Sequence, residues 1–252
     1  MSLRVLCWVI PLAVLAVVAV VPVATRGDEK QPAGRQQEKQ FEKEITRKVT
    51  LNYLLYLPDG YGKDDKAWPL VLFLHGAGES GNDLNKVKKH GPPKLTEAGK
   101  DFPCIVVSPQ SPRFGWDAET LNGLLDDVMA KYKVDKDRVY LTGLSMGGFG
   151  TWALAAAHPD KFAAIIPICG GGDPKDAAKL KDLPVWVFHG AKDTTVQPAQ
   201  SEAMVNALKD AGAANVKYTL YPDAAHDSWT ATYDDPAVWE WLFQQKRSAR
   251  QP

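Results

Sequence analysis

An α/β domain built on a mostly parallel sheet of about eight strands, with helices on both faces, is the fold class this sequence predicts. Three observations predict it. Continuous apolar runs of five or six residues recur along the chain, as strands buried on both faces require. Segments of helical period separate those runs. Chemically distinctive residues follow the runs directly, and the carboxyl ends of parallel strands are where ligands gather.

The 252-residue chain is ordinary in length for one such domain, and 45% of its residues are hydrophobic. Arg4 precedes an apolar stretch from Val5 to Val23, which fits the charged and apolar regions of a secretory signal. Pro11, Pro22 and the small residues favour cleavage near 24–27, so residues 1–27 are assigned to the signal. The same stretch is also long enough to span a bilayer, which leaves a retained membrane anchor as the alternative. Residues 28–43 are charged and Gln-rich with almost no apolar side chain, which predicts a disordered tether. The folded domain is placed at 44–247, and residues 248–252 form a tail.

Within the domain, Pro69–Leu74 reads as the first continuous buried strand and Cys104–Ser108 as the next. Leu121, Leu124, Leu125, Val128 and Met129 then recur at three- and four-residue steps, giving a helix one apolar face. Arg138–Thr142 reads as a strand, and Phe149–Ala157 as the helix after it. Ala163–Ile168 and Pro184–Phe188 are further strands, joined by a connection, 170–183, too short to hold an extra helical domain. Met204, Ala207, Leu208 and Ala211 mark another amphipathic helix, and Val216–Tyr221 alternates as the last strand. Pro236 can open a closing helix whose Trp239, Leu242 and Phe243 pack inward.

Gly143-Leu144-Ser145-Met146-Gly147 lies between a strand and a helix, and this is the chain's most informative segment. A serine held on so sharp a turn is exposed above the sheet edge, where a general base can reach it. The flanking glycines fit, because side chains there would collide with the neighbouring strand and helix. A tetrahedral oxyanion then needs backbone donors. They are expected from the N–H of Met146 and from that of Ala77, in the small-residue loop His75-Gly76-Ala77-Gly78-Glu79 after the Pro69–Leu74 strand.

The acid and base should follow the serine in that order. Asp193, just beyond the strand ending at Phe188, is the acid expected, and His226, just beyond Tyr221, is the base. Asp223 is the rival acid because it also neighbours the histidine, whereas Asp227 reads as solvated. The remaining four histidines have structural readings. His75 braces the oxyanion loop, His189 lies too near its strand to reach the serine, His158 ends a helix, and His90 sits in a polar loop.

Lys plus Arg and Asp plus Glu both number 30, so no charge excess points to nucleic acid as a partner. The histidines are scattered, and no H-E-x-x-H or zinc-type cysteine pair is present, so neither metal nor cofactor is expected. Cys104 and Cys169 belong to different strands at opposite ends of the sheet's span, beyond the separation of about 4.4–6.8 Å that a disulfide allows.

The serine segment, the His75–Glu79 loop, the segment His189-Gly190-Ala191-Lys192-Asp193 and the tail His226-Asp227-Ser228-Trp229 together resemble the α/β-hydrolase superfamily. More narrowly, the chain is similar to secreted bacterial carboxylesterases related to dienelactone hydrolase, to feruloyl and polyhydroxybutyrate esterases and to the catalytic domain of prolyl oligopeptidase. The resemblance runs from about Val49 to Lys246. It implies an α/β-hydrolase fold without a large cap domain, and a secreted, periplasmic or extracellular carboxylesterase acting on small or polysaccharide-linked esters. It also implies catalysis by Ser145, His226 and Asp193 through an acyl-enzyme. A peptidase with the same triad is the alternative, and a non-catalytic binding protein on the same scaffold is a third. Dienelactone hydrolase itself has cysteine where this chain has Ser145, so the lactone substrate does not carry over. Trp116 and Trp229, on loops at the same sheet edge, are either cleft walls or packing. Glu79 either contacts substrate or caps its loop.

Overall fold

The computed structural model describes residues 40, 42 and 48–247. The chain divides into two units, 1–46 and 47–252, and every element below belongs to the second. The signal, most of the tether, the expected start of the domain at 44 and the tail at 248–252 lie outside the described residues. No helix among the described residues is long and apolar enough to cross a membrane.

Seven strands form one sheet: β1 (Asn52–Tyr56), β2 (Trp68–Leu74), β3 (Ile105–Gln110), β4 (Val134–Leu144), β5 (Ala164–Ile168), β6 (Val185–Gly190) and β7 (Val216–Tyr221). Their spatial order is β1-β3-β2-β4-β5-β6-β7. Only β1 runs antiparallel to its neighbour. The count among the described residues is thus seven where the sequence predicts about eight. β1 was not legible as a buried run because its residues are half-buried and it lies at the edge. β4 also begins earlier than expected. Its polar first half, Val134-Asp135-Lys136-Asp137, precedes a register shift against β2 and hides the strand from a hydropathy reading.

Among the described residues seven α-helices accompany the sheet: α1 (Gly91–Glu97), α2 (Ala118–Lys131), α3 (Met146–Ala157), α4 (Ala177–Leu180), α5 (Ala199–Asp210), α6 (Trp229–Asp234) and α7 (Pro236–Gln244). Two cores flank the sheet. On one face Leu70, Leu72 and Leu74 of β2 meet Leu121, Leu125 and Val128 of α2, Trp152 of α3, Leu180 of α4 and Met204 of α5. On the other, Val71 and Phe73 meet Tyr233 of α6 and Val238, Trp239 and Leu242 of α7. The alternation follows from the two-residue period of a strand. Each such side chain contributes about 1.5–3 kcal/mol when fully buried. Asp117 starts α2 by accepting from Thr120 N, and Asp235 caps α7 by accepting from Ala237 N.

The parallel registers align the ends of the strands. Leu74 of β2 pairs with Gly143 of β4, Leu144 of β4 with Ile168 of β5, Ile168 with Phe188 of β6, and Gly190 of β6 with Tyr221 of β7. The loops carrying Ala77, Ser145, Asp193 and His226 therefore leave one edge of the sheet side by side. Between β5 and β6 stand only a short 3-10 turn and the four-residue α4, so no cap domain intervenes there.

Candidate active site

Ser145 sits between β4 and α3 with φ 53° and ψ −118°. That conformation is strained for a residue with a side chain, and strain of this kind costs about 1–3 kcal/mol. It persists because the elbow is wedged. Ser145 N donates to Ile168 O at 2.9 Å and lies 3.3 Å from Cys169 Sγ. A Cβ on Gly147 would fall 2.0 Å from Leu74 O, and one on Gly143 would fall 2.3 Å from Gly147 O. Both glycines are therefore required by close backbone approach.

His226 Nε2 lies 2.9 Å from Ser145 Oγ, and His226 Nδ1 lies 2.7 Å from Asp193 Oδ2. Because the carboxylate can only accept, Nδ1 carries the proton and Nε2 is left to accept from the serine hydroxyl. The second Asp193 oxygen, Oδ1, accepts from Thr195 N at 2.8 Å and Val196 N at 2.9 Å. Burial acts to raise the Asp193 carboxyl, yet the bonds from His226, Val196 and Thr195, with the adjacent imidazole, outweigh it and hold the group below its ordinary value. Asp223 is turned elsewhere, exposed and paired with Lys192 at 2.7 Å, and Asp227 caps the first turn of α6 through Thr230. The fold thus brings Asp193, and not Asp223, to His226.

The loop after β2 is braced through His75. His75 Nε2 accepts from Ser111 N at 3.0 Å, while Nδ1 donates to Gly76 O at 2.6 Å. Burial pushes its imidazole below the usual range, which keeps it in this neutral form. Gln110 Nε2 donates to both Glu79 O and Asp83 O, at 2.7 and 2.8 Å. Residues 77–79 form one 3-10 turn, and Met146 begins α3. The N–H groups of Ala77 and Met146 thus belong to first turns, which leave them no acceptor within their own helices.

Trp229 stands edge-on to the His226 ring, 5.2 Å between centroids at 89°. Its other neighbour is His90, at 5.4 Å. Trp116 lies against His75, 4.8 Å away, and lines a groove of about 600 Å³ with residues 48–51 and 111–115. The lining of that groove includes none of Ser145, Asp193 and His226. Glu79 is buried at the end of its 3-10 turn, where its backbone carbonyl is pinned by Gln110.

Several contributors escaped the sequence reading. His90, read from sequence as part of a polar loop, stands at the N-terminal boundary of α1 beside Trp229 and Glu79. His189 is fully buried at the end of β6, with Nε2 3.2 Å from Asp193 Oδ2 and 2.8 Å from Val196 O, and Nδ1 2.7 Å from Ser201 Oγ. The four-residue spacing of His189 and Asp193 was the one available signal. Cys169, with φ 40°, backs the elbow, and burial pushes its thiol up to about 12. Cys104 is likewise a buried free thiol.

Comparison with known proteins places this geometry in a family. The model of the dienelactone hydrolase family matches residues 117–246. Feruloyl esterase C of Emericella nidulans is 32% identical over 127 residues, covering 47% of this chain and 46% of that protein. Poly(3-hydroxyalkanoate) depolymerase C of Paucimonas lemoignei is 31% identical over 185 residues, covering 54% of this chain and 43% of that protein. The chain thus spans less than half the length of these curated relatives. Among solved structures, a thermostable esterase superposes with TM-score 0.68 at 34% identity, covering 79% of this chain and 60% of that one. An acylaminoacyl peptidase of Pyrococcus horikoshii, with TM-score 0.55 and 18% identity, covers 73% of this chain and 36% of its own, and shares the fold alone. With the matched segment covering more than half of the chain and the sheet order and esterase neighbour in agreement, this is an α/β-hydrolase fold, and the chain belongs to the dienelactone hydrolase family.

Proposed function

We propose that the protein is an exported serine carboxylesterase that cleaves small or polysaccharide-linked esters by two-step acyl transfer. The observation that carries this reading is the continuous hydrogen-bond chain from Ser145 through His226 to Asp193 at the carboxyl edge of the sheet. His226 takes the Ser145 proton as Oγ attacks the ester carbonyl, and the N–H groups of Ala77 and Met146 receive the developing oxyanion. The imidazolium then protonates the leaving alcohol. Water, deprotonated by the same imidazole, attacks the acyl-enzyme and releases the acid and Ser145. Asp193 keeps the imidazole in the productive tautomer and stabilises its charged form.

The named activities of the feruloyl esterase and the polyhydroxyalkanoate depolymerase support an ester as substrate. Trp229 beside His226, and Trp116 along the groove, are assigned as contacts for the acyl or alcohol group. Export rests on the segment 1–27. Hydrolysis of p-nitrophenyl acetate and butyrate, set beside peptide anilides, tests the reading. Ester turnover without anilide turnover is expected. Anilide turnover alone would make the protein a peptidase, and no turnover of either would leave a binding protein.

A further inference from the structure

The Glu79 side chain is only 6% exposed, yet among the described residues no donor lies within hydrogen-bond reach of its carboxylate. A carboxylate this enclosed and short of protein donors is suited to take one from a bound group. The nearest polar group is His90 Nε2, 3.8 Å from Glu79 Oε1, which is beyond the roughly 2.7–3.2 Å of a direct bond. One oxygen placed about 2.8 Å from each atom spans that separation and satisfies both.

This pair reaches the Ser145 site through shared neighbours. A Cβ on Gly76 would lie 3.2 Å from Glu79 Oε2 and 2.8 Å from Cδ1 of Leu144, the residue that precedes the nucleophile. His90 packs on Trp229, and Trp229 packs on His226. Glu79 is fixed from behind by Gln110, and His90 by its place at the start of α1. Four charged groups surround His90: Glu79 and Asp227 favour its cation, Lys89 and Lys94 oppose it, and burial, the largest influence, pushes its imidazole below the usual range.

We propose that Glu79 and His90 form a hydroxyl-binding clamp at the edge of the Ser145 cleft, which selects esters carrying a free hydroxyl close to the scissile bond. The proposal rests on the esterase reading for its substrate. The hydroxyl donates its proton to Glu79 and accepts from the Nε2–H of His90, so each member of the trio is satisfied. A methylene at the same place strips water from the carboxylate and returns no donor, which is the type of mismatch that polar sites reject most strongly.

Two ester pairs test it, each differing by hydroxyl groups alone: p-nitrophenyl 3-hydroxybutyrate against p-nitrophenyl butyrate, and glyceryl monobutyrate against propyl butyrate. The first places the hydroxyl on the acyl group, the second on the alcohol. The kcat/KM ratio within one pair should favour the hydroxylated ester by about ten- to a hundredfold, as expected for a hydrogen bond to a charged group. Glu79→Leu should collapse that ratio to about one, with Glu79→Gln and His90→Phe intermediate. A wild-type ratio near one in both pairs, or a ratio that Glu79→Leu leaves in place, overturns the clamp while the esterase reading stands. If no ester is turned over, that reading fails, and calorimetric titration of Ser145→Ala with glyceryl monobutyrate and propyl butyrate decides the clamp separately. Tighter binding of the hydroxylated ester, lost on adding Glu79→Leu, supports it, and equal binding refutes it.

Discussion

His189 and His226 converge on one oxygen of Asp193: His226 Nδ1 lies 2.7 Å from Oδ2 and His189 Nε2 lies 3.2 Å from it. His189 Nε2 also faces Val196 O, so it meets only acceptors and must carry a proton. On the mechanism proposed above, His189 is a positioning residue for Asp193. Its removal should lower kcat about tenfold or more, since Asp193 loses one donor to a charged group. His189→Leu should also move the acidic limb of the kcat/KM profile upward, because a carboxylate with fewer donors favours the His226 cation more strongly. His189→Gln, which keeps an N–H donor, should recover part of both effects. A variant that only loses thermal stability, with an unshifted profile, would make His189 a packing residue.

For the nucleophile, Ser145→Ala should abolish ester turnover while the melting temperature holds or rises, since the substitution removes no core contact. A fluorophosphonate should label Ser145 alone, as mapped by peptide mass spectrometry. Label on any other serine, or an active alanine variant, would remove the assignment.

Asp193→Asn should cost orders of magnitude in kcat, on the scale of the roughly 10⁴-fold loss known when a triad carboxylate becomes an amide. Asp223→Asn should cost little, because its carboxylate is exposed and bonded to Lys192. The depressed Asp193 value also predicts a pH dependence of folding. Its contribution to stability is fully present above the unfolded carboxylate value of about 3.9 and is lost as pH falls through the lower folded value. In urea titrations the difference between the parent and Asp193→Asn should therefore be constant near neutral pH and shrink below about pH 4. A difference that grows with acidification would contradict the assigned shift.

Trp116 and Trp229 should separate when each is replaced by alanine. Trp116 lines the groove but also packs against the core, and a Cβ on Gly150 would meet its ring at 2.7 Å, so its loss should lower the melting temperature as well as remove its contact with the ester. Trp229 borders His226, so its loss should act on specificity, erasing a preference for aromatic acyl esters of about two- to tenfold, the worth of one ring contact. Equal losses on aromatic and aliphatic esters would make Trp229 a brace for the imidazole instead.

The apolar runs of β2, β3, β5 and β6 and the serine elbow were legible in the sequence because each is a local pattern. A strand buried on both faces must be apolar throughout, and a turn this tight must have glycine where backbones touch. The three residues that the structure joins by hydrogen bonds, Ser145, Asp193 and His226, were legible for the same reason, since each stands just past such a run. β1 and the first half of β4 were not, because edge and half-exposed strands lack a hydropathy signature. Sequence position favoured Asp193 over its rival Asp223, but it could not exclude the rival, since the two stand on either side of one strand in the chain. The parallel register of β6 and β7 made that choice, carrying Asp193 under His226 while Asp223 turned out to Lys192. The convergence of two imidazoles on Asp193 and the meeting of Glu79 with His90 were decided by tertiary structure. His189 and Asp193 share a segment, but their meeting with His226, like that of Glu79 with His90, joins separate loops, and distances between loops are set by strand register and packing.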